Sequence, residues 1–126
     1  MKLTKIASLI ALYIGVMAIF AGGQVVLLNK AMSYHVIPWL PVYNLVFGLL
    51  TVFITTILLW RNSHFSLAAV LTSITSHSAV MIILQTSYRE LVAPDSIRAM
   101  AIRLATWFII LILVAVQARK DKKSSD

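Results

Sequence analysis

Four polar side chains stand out in a chain otherwise short of reactive groups: Asn44, Ser73, His77 and Arg103. A guanidinium offers a fixed cation with forked donors, and an amide, a hydroxyl and an imidazole add directed hydrogen bonds. Together they suit an anionic or carbonyl-bearing ligand, such as a lipid headgroup, a quinone oxygen or a small anion. Metal and haem chemistry fit poorly. The chain has no cysteine, and of its three histidines His35 and His64 fall in polar connections while His77 falls in an apolar stretch. A bis-histidine haem needs two facing imidazoles, and a metal site needs ligands that the apolar stretches do not supply. The expectation is therefore no cofactor and no metal. No nucleophile, base and acid are grouped as catalysis would need them, so an enzyme is not expected either.

Hydrophobic helices must position these residues. Apolar stretches run roughly over 6–28, 40–60, 65–86 and 97–117, each matching the ~20 residues a helix needs to cross a bilayer core. Hydrophobic residues make up 60% of the 126 and charged ones 12%, against ~25% charged in an ordinary soluble domain. The expected fold class is an all-α membrane protein, an antiparallel up-down four-helix transmembrane bundle. Residues 1–118 would form this one domain, and the polar stretch 119–126 a basic, disordered cytoplasmic tail. The basic start at Lys2 and Lys5 followed by apolar residues has the look of a signal peptide, and Ala21, Gly22 and Gly23 are small enough for cleavage. The run continues to Leu28, however, longer than a usual signal core of ~7–15 residues, and is read as a span.

The net charge of +7 would suggest nucleic acid in a soluble protein. Here it is a topology signal, and no nucleic-acid partner is expected. Lys2, Lys5, Arg61, Arg119, Lys120, Lys122 and Lys123 fall at one end of an up-down bundle, whereas Lys30, Arg89 and Arg98 fall at the other, with Glu90 and Asp95 nearby. The positive-inside rule then places both termini in the cytoplasm. Trp39, Tyr34, Tyr43 and Tyr88 would form the outer aromatic belt and Trp60 the inner one. Pro38 and Pro41 should open the second span, where missing amide donors cost little, and Asp95 or Ser96 should cap the fourth.

Small and polar residues recur at helical spacing. Ala7, Ala11, Gly15, Ala18 and Gly22 share one face of the first stretch, and Pro41, Asn44, Gly48, Thr51 and Thr55 one face of the second. Ala69, Thr72, Ser73, Ser76 and Ala79 share an arc of the third, opposite Leu67, Val70, Leu71, Ile74 and Met81; Ser96, Ala99, Arg103, Thr106 and Gln117 share a face of the fourth. Helices in lipid associate through close packing and interhelical hydrogen bonds, the latter worth ~0.6 kcal/mol on average, so these ridges should point inward. Gly15, Gly22, Gly48, Thr51, Thr72, Ser76 and Thr106 are the expected helix-packing residues.

Depth follows from hairpin geometry, because antiparallel neighbours are level where their residue numbers keep a constant sum. That rule sets His77 level with Arg103 and Gln24 level with Asn44, a rough polar layer in the outer half of the bundle. An arginine at mid-span costs ~2.5–3.5 kcal/mol on insertion scales, so its presence wants a reason. One reason is a ligand site of His77, Arg103, Asn44 and Ser73. The other is structural: Arg103 reaches the outer interface beside Trp107 or caps carbonyls, while His77 bonds a serine hydroxyl. Gln24 points away from the glycine ridge and is expected to reach for headgroups. Proton- or sodium-coupled carriers rely on embedded acidic residues, which the apolar stretches lack.

The stretch 92–103 (VAPDSIRAMAIR) followed by Trp107 resembles the last helix of small, uncharacterised four-span bacterial membrane proteins. Residues 41–48 (PVYNLVFG) and the mid-span His77 are similar to theirs as well. The resemblance implies a bacterial inner-membrane protein and assigns no ligand or reaction. The leading expectation is a non-enzymatic accessory or interaction protein in the lipid bilayer, packing with itself as a homo-oligomer or with a larger membrane complex. Binding or permeation of a small anionic or polar lipid-soluble ligand at His77 and Arg103 is the alternative.

Overall fold

The computed structural model describes residues 2–28 and 37–125, with side chains to 123. It is built from four helices: α1 (Leu3–Val26), α2 (Leu40–Trp60), α3 (Ser66–Thr86) and α4 (Pro94–Ser125). All four are long and apolar enough to cross a membrane, and among the described residues there is no strand. Lys30, Tyr34 and His35, assigned above to the first outer connection, lie outside the described residues.

Contacts fix the direction of each neighbour. Gly22 of α1 lies against Pro41 and Leu45 near the start of α2, while Gly15 lies against Gly48, Thr51 and Val52 further along it, so the two run antiparallel. The Ser66 hydroxyl at the start of α3 donates to the Leu58 carbonyl at the end of α2, 2.9 Å away. The Leu3 amide of α1 donates to Oε1 of Gln117 near the end of α4, at 2.9 Å. Up-down packing follows for the whole bundle. Large apolar side chains cover its outside, among them Phe20 at 65% exposure, Ile82 at 62% and Ile112 at 61%. With no water in the hydrocarbon, helices that bond their own backbone groups are the structures such a surface permits.

The α1–α2 contact is the closest. A side-chain carbon on Gly48 would come within 2.9 Å of the Gly15 carbonyl oxygen and the Ile19 amide, so the backbones touch where the glycines face each other. Halfway along α2 the turn Thr51–Thr55 is a π-helix, closed by the Thr56 amide on the Thr51 carbonyl. Its wider turn keeps Thr51, Thr55 and Leu59 buried on one side. The Thr56 carbonyl there accepts the Ser8 hydroxyl at 2.8 Å, tying α1 to α2.

The α2–α3 turn is a Schellman closure: Asn62 donates to the Leu59 carbonyl and Ser63 to that of Leu58, with Asn62 in the left-handed region at φ 52°. Asparagine tolerates that conformation better than most residues, which explains why a non-glycine sits here. The same Asn62 donates from Nδ2 to Oδ2 of Asp121 at 2.7 Å; Gln117 donates to Oδ1 at 2.9 Å, and Lys2 stands 3.6 Å from that oxygen. Lys5 lies over the Trp60 ring, 4.0 Å from its centre. These contacts correct the expected disordered tail. α4 continues to Ser125: Asp121 is held by Asn62 of the α2–α3 turn, by Lys2 just ahead of α1 and by Gln117 of its own helix, and Lys122 and Lys123 fall in the last turn, where the helix dipole favours cations.

At the other end of α4, Pro94 is the first helical residue, so Asp95 and Ser96 sit inside the first turn rather than at the cap; Asp95 there complements the dipole.

Two apolar clusters form the core. One joins Ala7, Ala11, Ile14, Leu59, Val70, Trp107, Ile110 and Val114. The other joins Ile37, Leu40, Val80, Leu84 and Met100, with Trp39 and Tyr88 packed edge to face beside it. In α3, His77 falls between Val70 and Val80; in α4, Arg103 falls between Met100 and Trp107. The polar residues thus interrupt the core at one level.

Candidate functional site

Two consecutive residues of α2, just past the Pro41 turn, take up the two costly residues of the bundle. The Tyr43 hydroxyl is 2.7 Å from Nδ1 of His77, donating to it or accepting from it according to the imidazole tautomer. Asn44 presents Oδ1 to Nη1 of Arg103, which donates at 2.6 Å. Successive helical positions differ by ~100° in direction, so adjacent residues reach different neighbours, α3 and α4.

His77 is 4% exposed and sits among rings. Its centroid is 5.0 Å from that of Phe47, 5.6 Å from Tyr43 and 6.2 Å from Trp107, while Tyr43 and Phe47 stack at 5.2 Å. Phe47 is one turn after Tyr43, which places both on the face of α2 that meets α3. This cage fixes the imidazole's orientation. Arg103 is half-buried and turns inward to Asn44, so it does not extend to the outer interface beside Trp107. Trp107 itself is 1% exposed and packs in the core.

His77, Arg103 and Asn44 line a cavity with Gly15, Gly48, Thr51 and Trp107, whose free space for a water-sized sphere is ≈ 10 Å³. That is about the room one water needs. A ligand larger than water does not fit in this inner cavity.

Ser73 is not part of the cavity. It is buried one turn from His77, but its hydroxyl donates back to the Ala69 carbonyl at 3.0 Å, a local bond that leaves no proton for a ligand. The packing residues divide similarly. Gly15, Gly22, Gly48 and Thr51 are buried where α1 meets α2. Thr72 is exposed and donates to the Ala68 carbonyl at 2.7 Å, Ser76 is half-buried, and Thr106 is half-buried and donates to the Ile102 carbonyl at 2.7 Å. The buried stripe of α3 is Ser66, Val70, Ser73, His77, Val80 and Leu84, a correction to the arc of Ala69, Thr72, Ser73, Ser76 and Ala79, of which Ser73 alone is buried. Val70, assigned to the lipid side, is fully buried. A threonine that bonds its own helix has no polar demand left and can face lipid, so hydroxyl content does not mark the inner face.

Tyr43 moves from the expected outer belt into the site, and Phe47 and Trp107 join it. The signal for Tyr43 was within reach: the constant-sum rule for a hairpin turning near residue 62 sets it about one turn from His77, within a tyrosine's length.

A second opening meets Arg103 from outside. Between α1 and α4 a groove of ≈ 450 Å³ is lined by Tyr13, Ile14, Met17, Ala21, Ala99, Ile102, Arg103 and Thr106. Tyr13 and Ile102 stand up along its edges, 69% and 60% exposed, and the small Ala21 and Ala99 leave it open. Arg103 is the partition, facing the inner cavity on one side and the groove on the other. Among the described residues no group of three or more histidine, cysteine, aspartate or glutamate side chains converges as a metal site would require.

Compared with family models, curated proteins and solved structures, the chain matches none.

Proposed function

We propose that the protein is a non-enzymatic integral membrane protein of the bacterial inner membrane, an accessory or interaction subunit that acts by packing its outer helix faces against other membrane-spanning chains. One observation carries this reading: the Tyr43–His77 and Asn44–Arg103 bonds join three helices around a space of only ≈ 10 Å³. With so little room between His77 and Arg103, the lateral surface of the bundle, its α1–α4 groove included, is the larger area available for interaction. The clustering of Lys2, Lys5, Arg61 and the 119–123 cations at one end supports cytoplasmic termini.

Gentle detergent extraction of the full chain, followed by mass analysis of the intact assembly, tests the reading. It expects a defined membrane complex, with a second chain or further copies; a lone monomer under every mild condition overturns it. Because the chain has no cysteine, single introduced cysteines at residues 2 and 91 report sidedness. Labelling of residue 2 from outside the cell would contradict the proposed orientation.

A second reading, binding of a small anionic or carbonyl-bearing lipid-soluble ligand, is favoured by the groove that reaches Arg103 from the lipid side. In this reading Arg103 is the anchor, Asn44 holds it from behind, and His77 lines the cavity beside it.

A further inference from the structure

We infer that the end of α4 holds an anionic phospholipid, with its phosphate taken by Arg119, Lys120 and Lys123 and an acyl chain lying along Val116 and Ile112. Such a site is independent of the accessory reading above, because it needs only a helix that leaves the hydrocarbon at this point.

Spacing makes the first part of the case. Val116, Arg119, Lys120 and Lys123 recur at the helical period, so they share one face of α4, and together they line a hollow of ≈ 330 Å³. All four are exposed. The same face continues inward through Ile112 and Ile109, 61% and 52% exposed, so an apolar stripe turns basic within one turn after Val116. That change marks where a helix passes from hydrocarbon to headgroups, the level of a phospholipid's phosphate, and long basic side chains reach it while their stems stay on apolar surface.

The Asp121 clasp sets the direction of that face. Asn62, Gln117 and Lys2 hold the Asp121 carboxylate towards the bundle. Asp121 lies ~140° around the helix axis from Val116, so turning the acid inward turns the hollow outward to the lipid. The carboxylate nearest the three cations thus faces away from them. Charge and apolar contact then select the occupant. A soluble polyanion would use the cations and leave Val116 and Ile112 idle, and a zwitterionic headgroup brings its own ammonium to the same level. A diacyl lipid of net negative charge uses both halves of the face, with the arginine fork suited to its phosphate and the lysines adding point charges.

The test uses the full chain, purified and reconstituted in phosphatidylcholine vesicles, with Ile112→Cys carrying a bimane fluorophore; the chain has no other cysteine. The probes are phosphatidylglycerol and phosphatidylcholine with brominated acyl chains, which quench a fluorophore that they touch. Phosphatidylglycerol is expected to bind about tenfold more tightly than phosphatidylcholine. Arg119→Gln together with Lys123→Gln should cut that preference to about twofold. Lys5→Gln together with Arg61→Gln removes the same charge from the same end of the bundle and should leave the preference in place. Asp121→Ala separates an oriented site from a diffuse field: losing an acid strengthens a field, whereas fraying the end of α4 should lower the preference. Equal quenching by the two lipids, equal loss in the two double variants, or a preference that rises in Asp121→Ala overturns the inference. Displacement of the lipid by inorganic phosphate at constant ionic strength also overturns it, in favour of a free anion.

Discussion

The Tyr43 hydroxyl lies 2.7 Å from Nδ1 of His77, so a buried imidazole is bonded across helices to a phenol instead of to a serine on its own helix. This bond and the stacked Tyr43–Phe47 pair make α2 the element that orients the polar layer. Tyr43→Phe removes the oxygen and keeps the ring, leaving Nδ1 without its partner in a buried place. The expected loss is about 1 kcal/mol, near the upper range for interhelical bonds in membranes because the group left behind is unsatisfied. Reversible unfolding in mixed micelles measures it. Adding His77→Phe should recover part of the loss, since replacing both partners removes the orphaned nitrogen; a single variant as stable as wild type would count against the bond.

Asn44 and Arg103 should couple. A double-mutant cycle with Asn44→Leu and Arg103→Leu is expected to give about 0.6–1.7 kcal/mol of interaction energy, the span found for interhelical polar pairs in a bilayer. Asn44→Leu alone should be the worse single change, because it strands a cation whose oriented acceptor has gone, whereas Arg103→Leu removes the costly group itself. Additive single effects would mean that the 2.6 Å bond does not contribute to stability.

Composition and the length of the apolar stretches carry the fold class, since few structures satisfy a backbone in lipid. The level rule also brings His77 and Arg103 to one cavity before any coordinates are considered. Rotation about the helix axes is less legible. Thr72 and Ser73 are neighbours with the same type of back-bond to α3, yet one faces out and the other in, because packing by Val70 and Val80 sets the rotation and the hydroxyls merely follow. Tyr43 shows the same limit: a tyrosine near a helix start reads as an interfacial residue until the position of His77 on the facing helix is known. The helical 119–125 segment is hidden for another reason, as Asp121 is held by Asn62 and Lys2, residues far away in the chain.

That clasp yields its own prediction. Asp121→Ala removes the acceptor shared by Asn62, Gln117 and Lys2 and should fray the last two turns of α4. The global cost should be small, because the group is exposed and such pairs contribute little. Hydrogen exchange read by mass spectrometry should show faster exchange confined to the 117–125 region, with α1 to α3 unchanged. Protection identical to wild type there would show that α4 holds its end by helical propensity alone.

Gly22 and Gly23 make the sharpest contrast, being adjacent, both buried and both in α1. A side-chain carbon on Gly22 would run into the Pro41 carbonyl and come within 2.6 Å of the Leu45 amide, backbone atoms that cannot move aside without α2 moving as a whole. On Gly23 the same carbon would meet nothing nearer than the Leu45 methyl at 3.9 Å, an ordinary contact. Alanine in a helix interior is favoured over glycine by roughly 0.5–1 kcal/mol, so Gly23→Ala should be neutral to stabilising. Gly22→Ala gains the same propensity but must separate α1 from α2, an overpacking cost of ~1–3 kcal/mol that also pulls Pro41, Tyr43 and Asn44 out of register with His77 and Arg103. The two variants should therefore move the unfolding midpoint in opposite directions, and only Gly22→Ala should weaken the Asn44–Arg103 coupling measured by the cycle above. If both alanines were tolerated equally, the close α1–α2 approach that positions the polar layer would not exist.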